Sequence, residues 1–403
     1  MKIPAKTPWP SVLLFILSSF SSMLLLGIGA LLSLAGLMEI TSGEAVIAQS
    51  TFMYAAASIF IGIVLWPAVY YSLMKILNKP AKELPLHRIP TSALAIVWIL
   101  SAGLGLLFGK NTPVSIVLIP FNLLTFVLPV WILVRIGLRG IQVGSPERSW
   151  GTIAVGMTIV PMLIGFLEIL VISSIILLLI IWISTNPALM NQIQSLGTRL
   201  LYTKNPDALV RILSPYILNP VVIFTGLAFL SVCVPLIEEL IKPLGVWLMP
   251  KNMMSLHQGF AFGVLGGAAY ALVESLGVSP GGSGSMNFLS VARIGTDLLH
   301  VTTAGLMGWA LVRSWQDRKF VQLGLTYLIV VVLHGLWNAL SLAAAAGLAV
   351  TYLSNPSPLL KNLSLVSSIG LIFLSFINMA ILICANRLIR PHLDQVSDVS
   401  SGG

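Results

Sequence analysis

Between Pro235 and Gly245 the chain reads PLIEELIKPLG, which sets Glu238, Glu239 and Lys242 inside a segment otherwise apolar enough to cross a membrane. Further on, ARIGTDLLH brings Arg293, Asp297 and His300, and HGLWN brings His334 and Asn338, again within apolar runs. A charge at mid-membrane costs on the order of 2.5 to 3.5 kcal/mol even on the lenient insertion scale, so such groups persist where partners or water offset that cost and where they serve a use. Peptide-bond hydrolysis is one such use. It needs a base that deprotonates water, and a carboxylate desolvated in low dielectric is suited to that task. It also needs donors for the developing oxyanion, which an imidazole and an amide on one helical face can supply. Glu238 and Glu239 are the candidate acids, His300 the group that fixes the attacking water, and His334 with Asn338 the oxyanion pair.

Spacing supports this division. His334 and Asn338 are four residues apart and share a helical face, as do Glu238 and Lys242, whereas Glu239 points about 100° around the helix. The two acids should therefore differ in role, with Lys242 offsetting Glu238. Pro235 removes a backbone donor and opens the turn before Glu238. At about 1.5 Å rise per residue, Glu238 and Glu239 fall about 27 to 30 Å along their span, His300 about 18 Å and His334 about 20 Å along theirs, in one central slab. Glu274, Arg293 and Asp297 form a second, shallower cluster in which Arg293 pairs with Glu274 or Asp297 and braces the helix presenting His300. A lone intramembrane histidine is more often a packing residue, and a Glu–Lys pair at i,i+4 occurs on any helix. The weight comes from the whole set, in order and at matching depth. No HExxH occurs, and a Glu with two His can either hold zinc, here on Glu238, His300 and His334, or activate water without it, so both routes stay open.

The elements that must position these groups follow from composition. Of 403 residues, 57% are hydrophobic and 9% charged, and mean hydropathy is +0.97. Apolar runs of about 20 residues recur along the chain, long enough to span hydrocarbon as helices and too continuous for a β-barrel. The expectation is an all-α polytopic bundle of about 10 transmembrane helices, near 11–37, 52–77, 91–108, 113–138, 152–184, 219–249, 257–277, 288–314, 321–347 and 364–388. Basic residues cluster in alternate connections, among them Lys75, Lys79, Arg135, Arg139, Arg313 and Arg387, which puts both termini in the cytoplasm. The net charge of +9 is explained by these clusters, and no nucleic-acid partner is expected. Four regions are expected: accessory helices over 1–184, an extracytoplasmic loop with an interfacial helix over 185–218, a catalytic core over 219–350, and a last helix with a cytoplasmic tail over 351–403. Cys233 and Cys384 form no metal-ligand spacing.

EELIK from Glu238, AYALVES with Glu274, ARIGTDLLHVTTAGLMGWAL with Arg293 and His300, and HGLWN resemble, in order and approximate spacing, the four motifs of the PrsW family of intramembrane proteases. That family is related to the CAAX-processing and bacteriocin-processing proteases and more distantly to a scaffold subunit of γ-secretase. The resemblance covers roughly residues 230 to 345. It implies an integral-membrane endopeptidase of the bacterial cell membrane acting on membrane-anchored proteins such as anti-sigma factors, with the lipid bilayer as its surroundings. By position it assigns Glu238, Glu239, Lys242, Glu274, Arg293, His300, His334 and Asn338 to the motifs. One departure stands out: the second motif usually reads Glu-Asn, and Ser275 follows Glu274 here. Glutamate-activated water is the favoured mechanism. A proton-coupled transporter and a non-catalytic membrane scaffold are the alternatives, because Glu/His chains across a bundle also relay protons.

Overall fold

Inside hydrocarbon every backbone N–H and C=O must be satisfied within its own segment, and each expected span is helical. The computed structural model describes residues 8–82, 89–108, 112–217, 219–249, 254–279, 286–350 and 358–391. Lys2, Lys6, Arg88, Lys110, Lys251 and most of the expected glycine-rich loop after Ser279 lie outside the described residues. In order, the helices are α1 (Trp9–Thr41), α2 (Ala45–Val64), α3 (Trp66–Ile76), α4 (Thr91–Phe108), α5 (Thr112–Val117), α6 (Ile119–Gly137), α7 (Pro146–Met157), α8 (Ile159–Ser184), α9 (Pro187–Tyr202) and α10 (Pro206–Ile217). There follow α11 (Pro220–Ala228), a π-helical turn over Phe229–Cys233, α12 (Val234–Ile241), α13 (Leu244–Trp247), α14 (Leu256–Val278), α15 (Met286–Asp317), α16 (Phe320–Val350) and α17 (Pro358–Ile389).

Among the described residues, nine helical stretches are long and apolar enough to cross a membrane. The tenth expected span is present as α15, 32 residues long. Its composition keeps it out of that set, since Arg293, Asp297, His300, Arg313 and Asp317 lower its hydropathy. Prolines interrupt several spans. Span two breaks at Leu65 before Pro67, span five at Thr158 before Pro161, and span six at the π turn before Pro235 and again before Pro243. In each case proline lacks the donor that would continue the ladder, and its ring crowds the preceding turn. The 185–218 segment holds two helices, α9 and α10, the first at the spacing expected for an amphipathic helix.

The chain forms two compact units, one of Met1–Pro161, Glu239–Val330 and Ile369–Gly403, the other of Met162–Glu238 and Val331–Ser368. The first is organised around α14, whose residues are buried along most of its length. A capping box from Ser255 and Gln258 starts this helix. Helix α15 packs along α14, with α6 and α7 against its other sides. Gly259, Gly263 and Gly267 recur every fourth residue on the face toward α15. A Cβ at Gly263 would collide with the carbonyl oxygen of Ala304, and one at Gly267 with that of His300. Only glycine permits this backbone approach, the small-residue packing that membrane helices use where apolar burial no longer drives association.

In the second unit α8 exposes Leu177, Leu178, Leu179, Ile180, Ile181 and Trp182 around its circumference, as a helix solvated by lipid tails does. At the π turn, Gly335 of α16 rides directly on the carbonyl of Ser231. Ser231 lies four residues before Pro235, so its carbonyl is the one deprived of the proline's missing N–H.

Candidate active site

Helix α12 begins the site, and the boundary between the two units falls between Glu238 and Glu239. On the side of the first unit, Glu239 and Lys242 are wholly buried and form an ion pair of 2.8 Å, three residues apart on one face. The i,i+4 spacing had directed Lys242 toward Glu238; the structure gives it Glu239. The same ammonium lies 2.6 Å from Nδ1 of His300 on α15 and 5.2 Å from the centre of the Tyr270 ring on α14. Tyr270 meets the His300 ring edge-on, with centroids 5.2 Å apart.

The other nitrogen of His300, Nε2, is 2.7 Å from Oε2 of Glu274. Lysine has donors only, so Nδ1 of His300 accepts and Nε2–H donates to the carboxylate, which selects one tautomer of a neutral ring. Arg293 grips Glu274 through both terminal nitrogens, at 3.1 and 2.9 Å. Its Nε donates to Ser275 Oγ at 2.9 Å, and Ser275 Oγ donates to Asp297 Oδ1 at 2.6 Å. Asp297 lies four residues after Arg293, 3.9 Å from its guanidinium. The serine that departs from the Glu-Asn pattern therefore acts as a hydrogen-bonding link between Arg293 and Asp297.

Sequence depth had made Glu274, Arg293 and Asp297 a shallower cluster bracing the helix of His300, with Arg293 paired to Glu274 or Asp297; Arg293 meets both, and the cluster reaches His300 itself. The sequence Asp297, Ser275, Arg293, Glu274, His300, Lys242, Glu239 is a single run of contacts. Axial rise alone ignored the reach of long side chains and the close approach of α14 to α15 that brings Glu274 to His300.

On the side of the second unit, His334 and Glu238 are buried, with Nε2 3.9 Å from Oε2. That is too long for a hydrogen bond. Asn338, one turn on from His334, donates from Nδ2 to the carbonyl of Leu230 at 2.8 Å, inside the π turn. The displaced ladder leaves carbonyls without their usual partners, and Asn338 satisfies one of them. An amide NH2 carries two donors, so this bond uses one.

Two features went unread in the sequence. Tyr270 stands four residues before Glu274 on the face that packs against His300, a relation visible in AYALVES. The glycine repeat 259, 263, 267 marks the close helix contact that sets the height of His300.

Residues 200–369 match the sequence model of a family described as PrsW family intramembrane metalloprotease. No match is found among curated proteins or among solved structures. The match spans α12, α14, α15 and α16, the helices that carry the residues above.

Proposed function

We propose, starting from the membership of residues 200–369 in the PrsW family of intramembrane proteases, that this integral membrane peptide hydrolase cleaves membrane-anchored proteins with Glu238 as the proton-handling group. The observation that carries the reading is the fixed, buried His300, held by Lys242 on one nitrogen and Glu274 on the other. With both ring nitrogens engaged, His300 orders Lys242 and Glu274 about itself, and it can meet a reacting atom only where Lys242 leaves Nδ1. Glu238 takes a proton from the attacking water and returns it to the leaving amine. His334, beside Glu238, and the remaining N–H of Asn338 hold the oxyanion. Arg293, Ser275 and Asp297 act at one remove, by fixing Glu274 and through it the ring of His300.

The family description implies a metal. One carboxylate and two imidazoles are a familiar zinc donor set, and Glu238, His300 and His334 are the residues the sequence offers for it. The 3.9 Å between Glu238 Oε2 and His334 Nε2 suits two ligands of one ion better than a hydrogen bond. The Glu274 contact to Nε2 of His300 is of the kind that outer-shell carboxylates make to metal-bound histidines, but the Lys242 ammonium holds Nδ1 at 2.6 Å, so His300 would serve as a ligand only where Lys242 moves off it. When bound, the ion would polarise the scissile carbonyl and acidify a bound water. One oxygen of Glu238 suffices as ligand, which leaves the other for the proton.

The 219–350 region is the catalytic core in this reading, 1–184 an accessory bundle, 185–218 an extracytoplasmic segment lying at the interface, and 351–403 the last helix and tail, with both termini cytoplasmic in a bacterial membrane. Single-span proteins of the anti-sigma-factor kind are the expected substrates. The test uses purified protein in liposomes with single-span substrates. Cleavage lost in Glu238→Gln with an unchanged unfolding midpoint supports the reading, and ion or solute flux without cleavage overturns it in favour of a transporter. Metal content measured on wild type and His334→Ala separates a metal-dependent enzyme from a purely glutamate-driven one.

A further inference from the structure

Outside the protease motifs, the first unit holds a cavity of about 980 Å³ between α2, α3, α6, α7 and α14. Its walls are mainly apolar, with Phe60, Val130, Trp131 and Leu272 among them, and Arg135 and Arg139 stand at its edge. A second pocket, of about 600 Å³, shares Ile136 and Arg139 with the first and adds Asn386, Arg387 and Arg390 from the end of α17. Among the described residues, no carboxylate lines either pocket.

The polar pocket is built by specific contacts. Asn386 Nδ2 donates to the carbonyls of Gly137 at 2.8 Å and Arg139 at 3.0 Å, tying α17 to the end of α6. Gly140 has a positive φ of 74°, and a Cβ there would come within 2.8 Å of Cδ of Arg390. Its missing side chain lets the stem of Arg390 lie against the turn beside Arg139.

Three guanidinium groups, with no acid among the described residues of their pocket, adjoin a large apolar cavity through Ile136 and Arg139, and together they complement an amphiphile with an anionic head and hydrocarbon tails. Arginine's planar fork matches phosphate oxygens, and the chamber lies at the upper end of the roughly 300 to 1,000 Å³ usual for small-molecule sites. We infer that these adjoining cavities bind one anionic phospholipid of the surrounding membrane, its phosphate on Arg139, Arg387 and Arg390 and its acyl chains along α6 and α14. Because α14 also carries Tyr270 and Glu274, an occupied chamber would stiffen the helix behind His300. The lipid site itself does not depend on the peptidase reading.

Full-length protein in mild detergent is mixed with long-chain phosphatidylglycerol, phosphatidylcholine, dihexanoyl phosphatidylglycerol or inorganic phosphate, and followed by native mass spectrometry and thermal unfolding. The expected result is one long-chain phosphatidylglycerol retained per chain, with a raised Tm, under conditions that strip phosphatidylcholine. Arg139→Gln/Arg390→Gln should lower that retention at least tenfold while leaving the Tm of lipid-free protein unchanged, since both side chains are exposed. Arg387→Gln gives the same reading should the double variant fold poorly. Equal retention of both headgroups, or retention indifferent to the arginine variants, identifies ordinary annular lipid and overturns the inference. Protection by dihexanoyl phosphatidylglycerol or inorganic phosphate equal to that by the long-chain lipid also overturns it, since the chamber would then contribute nothing.

Discussion

The ammonium of Lys242 lies 2.6 Å from Nδ1 of His300, on a different helix and 58 residues further along the chain. A buried lysine facing a histidine lone pair is an unusual pairing, and Glu239 makes it tolerable by neutralising the ammonium at 2.8 Å. The ammonium sits on the one imidazole nitrogen that the Glu274 contact leaves for a metal, so Lys242 is the cation that Nδ1 faces in this arrangement.

Lys242→Met should therefore destabilise the protein by about 3–5 kcal/mol, the usual cost of stranding one member of a buried ion pair. Chemical denaturation in detergent measures it. Lys242→Arg should recover little, because the guanidinium fork does not fit a site shaped for a point charge between Glu239, His300 and Tyr270.

The two adjacent glutamates should separate by experiment. Glu238→Gln is expected to abolish hydrolysis without moving the unfolding midpoint, whereas Glu239→Gln should lower stability because Lys242 loses its counter-charge. Parallel activity and unfolding assays on the two variants give the comparison, and identical behaviour of both would refute distinct roles.

Arg293→Ala leaves Glu274 and Asp297 without their shared cation, so stability and activity should fall together, by about 3–5 kcal/mol in unfolding free energy. Ser275→Ala removes the hydroxyl that accepts from Arg293 and donates to Asp297, and should cost about 1–3 kcal/mol. A fully stable but inactive Arg293→Ala would place this arginine on the reacting atoms instead.

Asn338→Ala uncovers the Leu230 carbonyl in the π turn. The expected cost is about 1–3 kcal/mol of stability. A rate loss of about 10²–10³-fold would accompany it if the second N–H serves the oxyanion. Single-turnover cleavage measured beside unfolding distinguishes the contributions: a rate loss without a stability loss would argue against the structural bond.

Gly267→Val should press α14 away from the His300 carbonyl and cost about 1–3 kcal/mol or more from overpacking. Activity should drop further than the residual folded fraction explains, since His300 would lose its height relative to Tyr270 and Glu274. Activity normalised to folded protein tests this.

Much of this was legible from residue order. Continuous apolar runs in a chain of mean hydropathy +0.97 dictate transmembrane helices, because a helix satisfies its own backbone in hydrocarbon and the runs are too continuous for the strands of a barrel. The costly intramembrane charges that the sequence offered as catalytic candidates fall within residues 200–369, the stretch that the family model matches. Helical spacing placed His334 and Asn338 on one face, and the family resemblance agrees with the match over residues 200–369. Which partners those groups choose was decided only in three dimensions. Lys242 stands within reach of two acids, and spacing alone ranked Glu238 first; the directions of α14 and α15 gave it Glu239 and His300. Likewise Glu274 joined His300 because three glycines let two backbones approach, and side-chain reach across that narrow gap cannot be computed from axial rise along separate helices. Covalent order sets which chemistry a chain can carry, whereas contacts between residues distant in sequence depend on how closely helices pack.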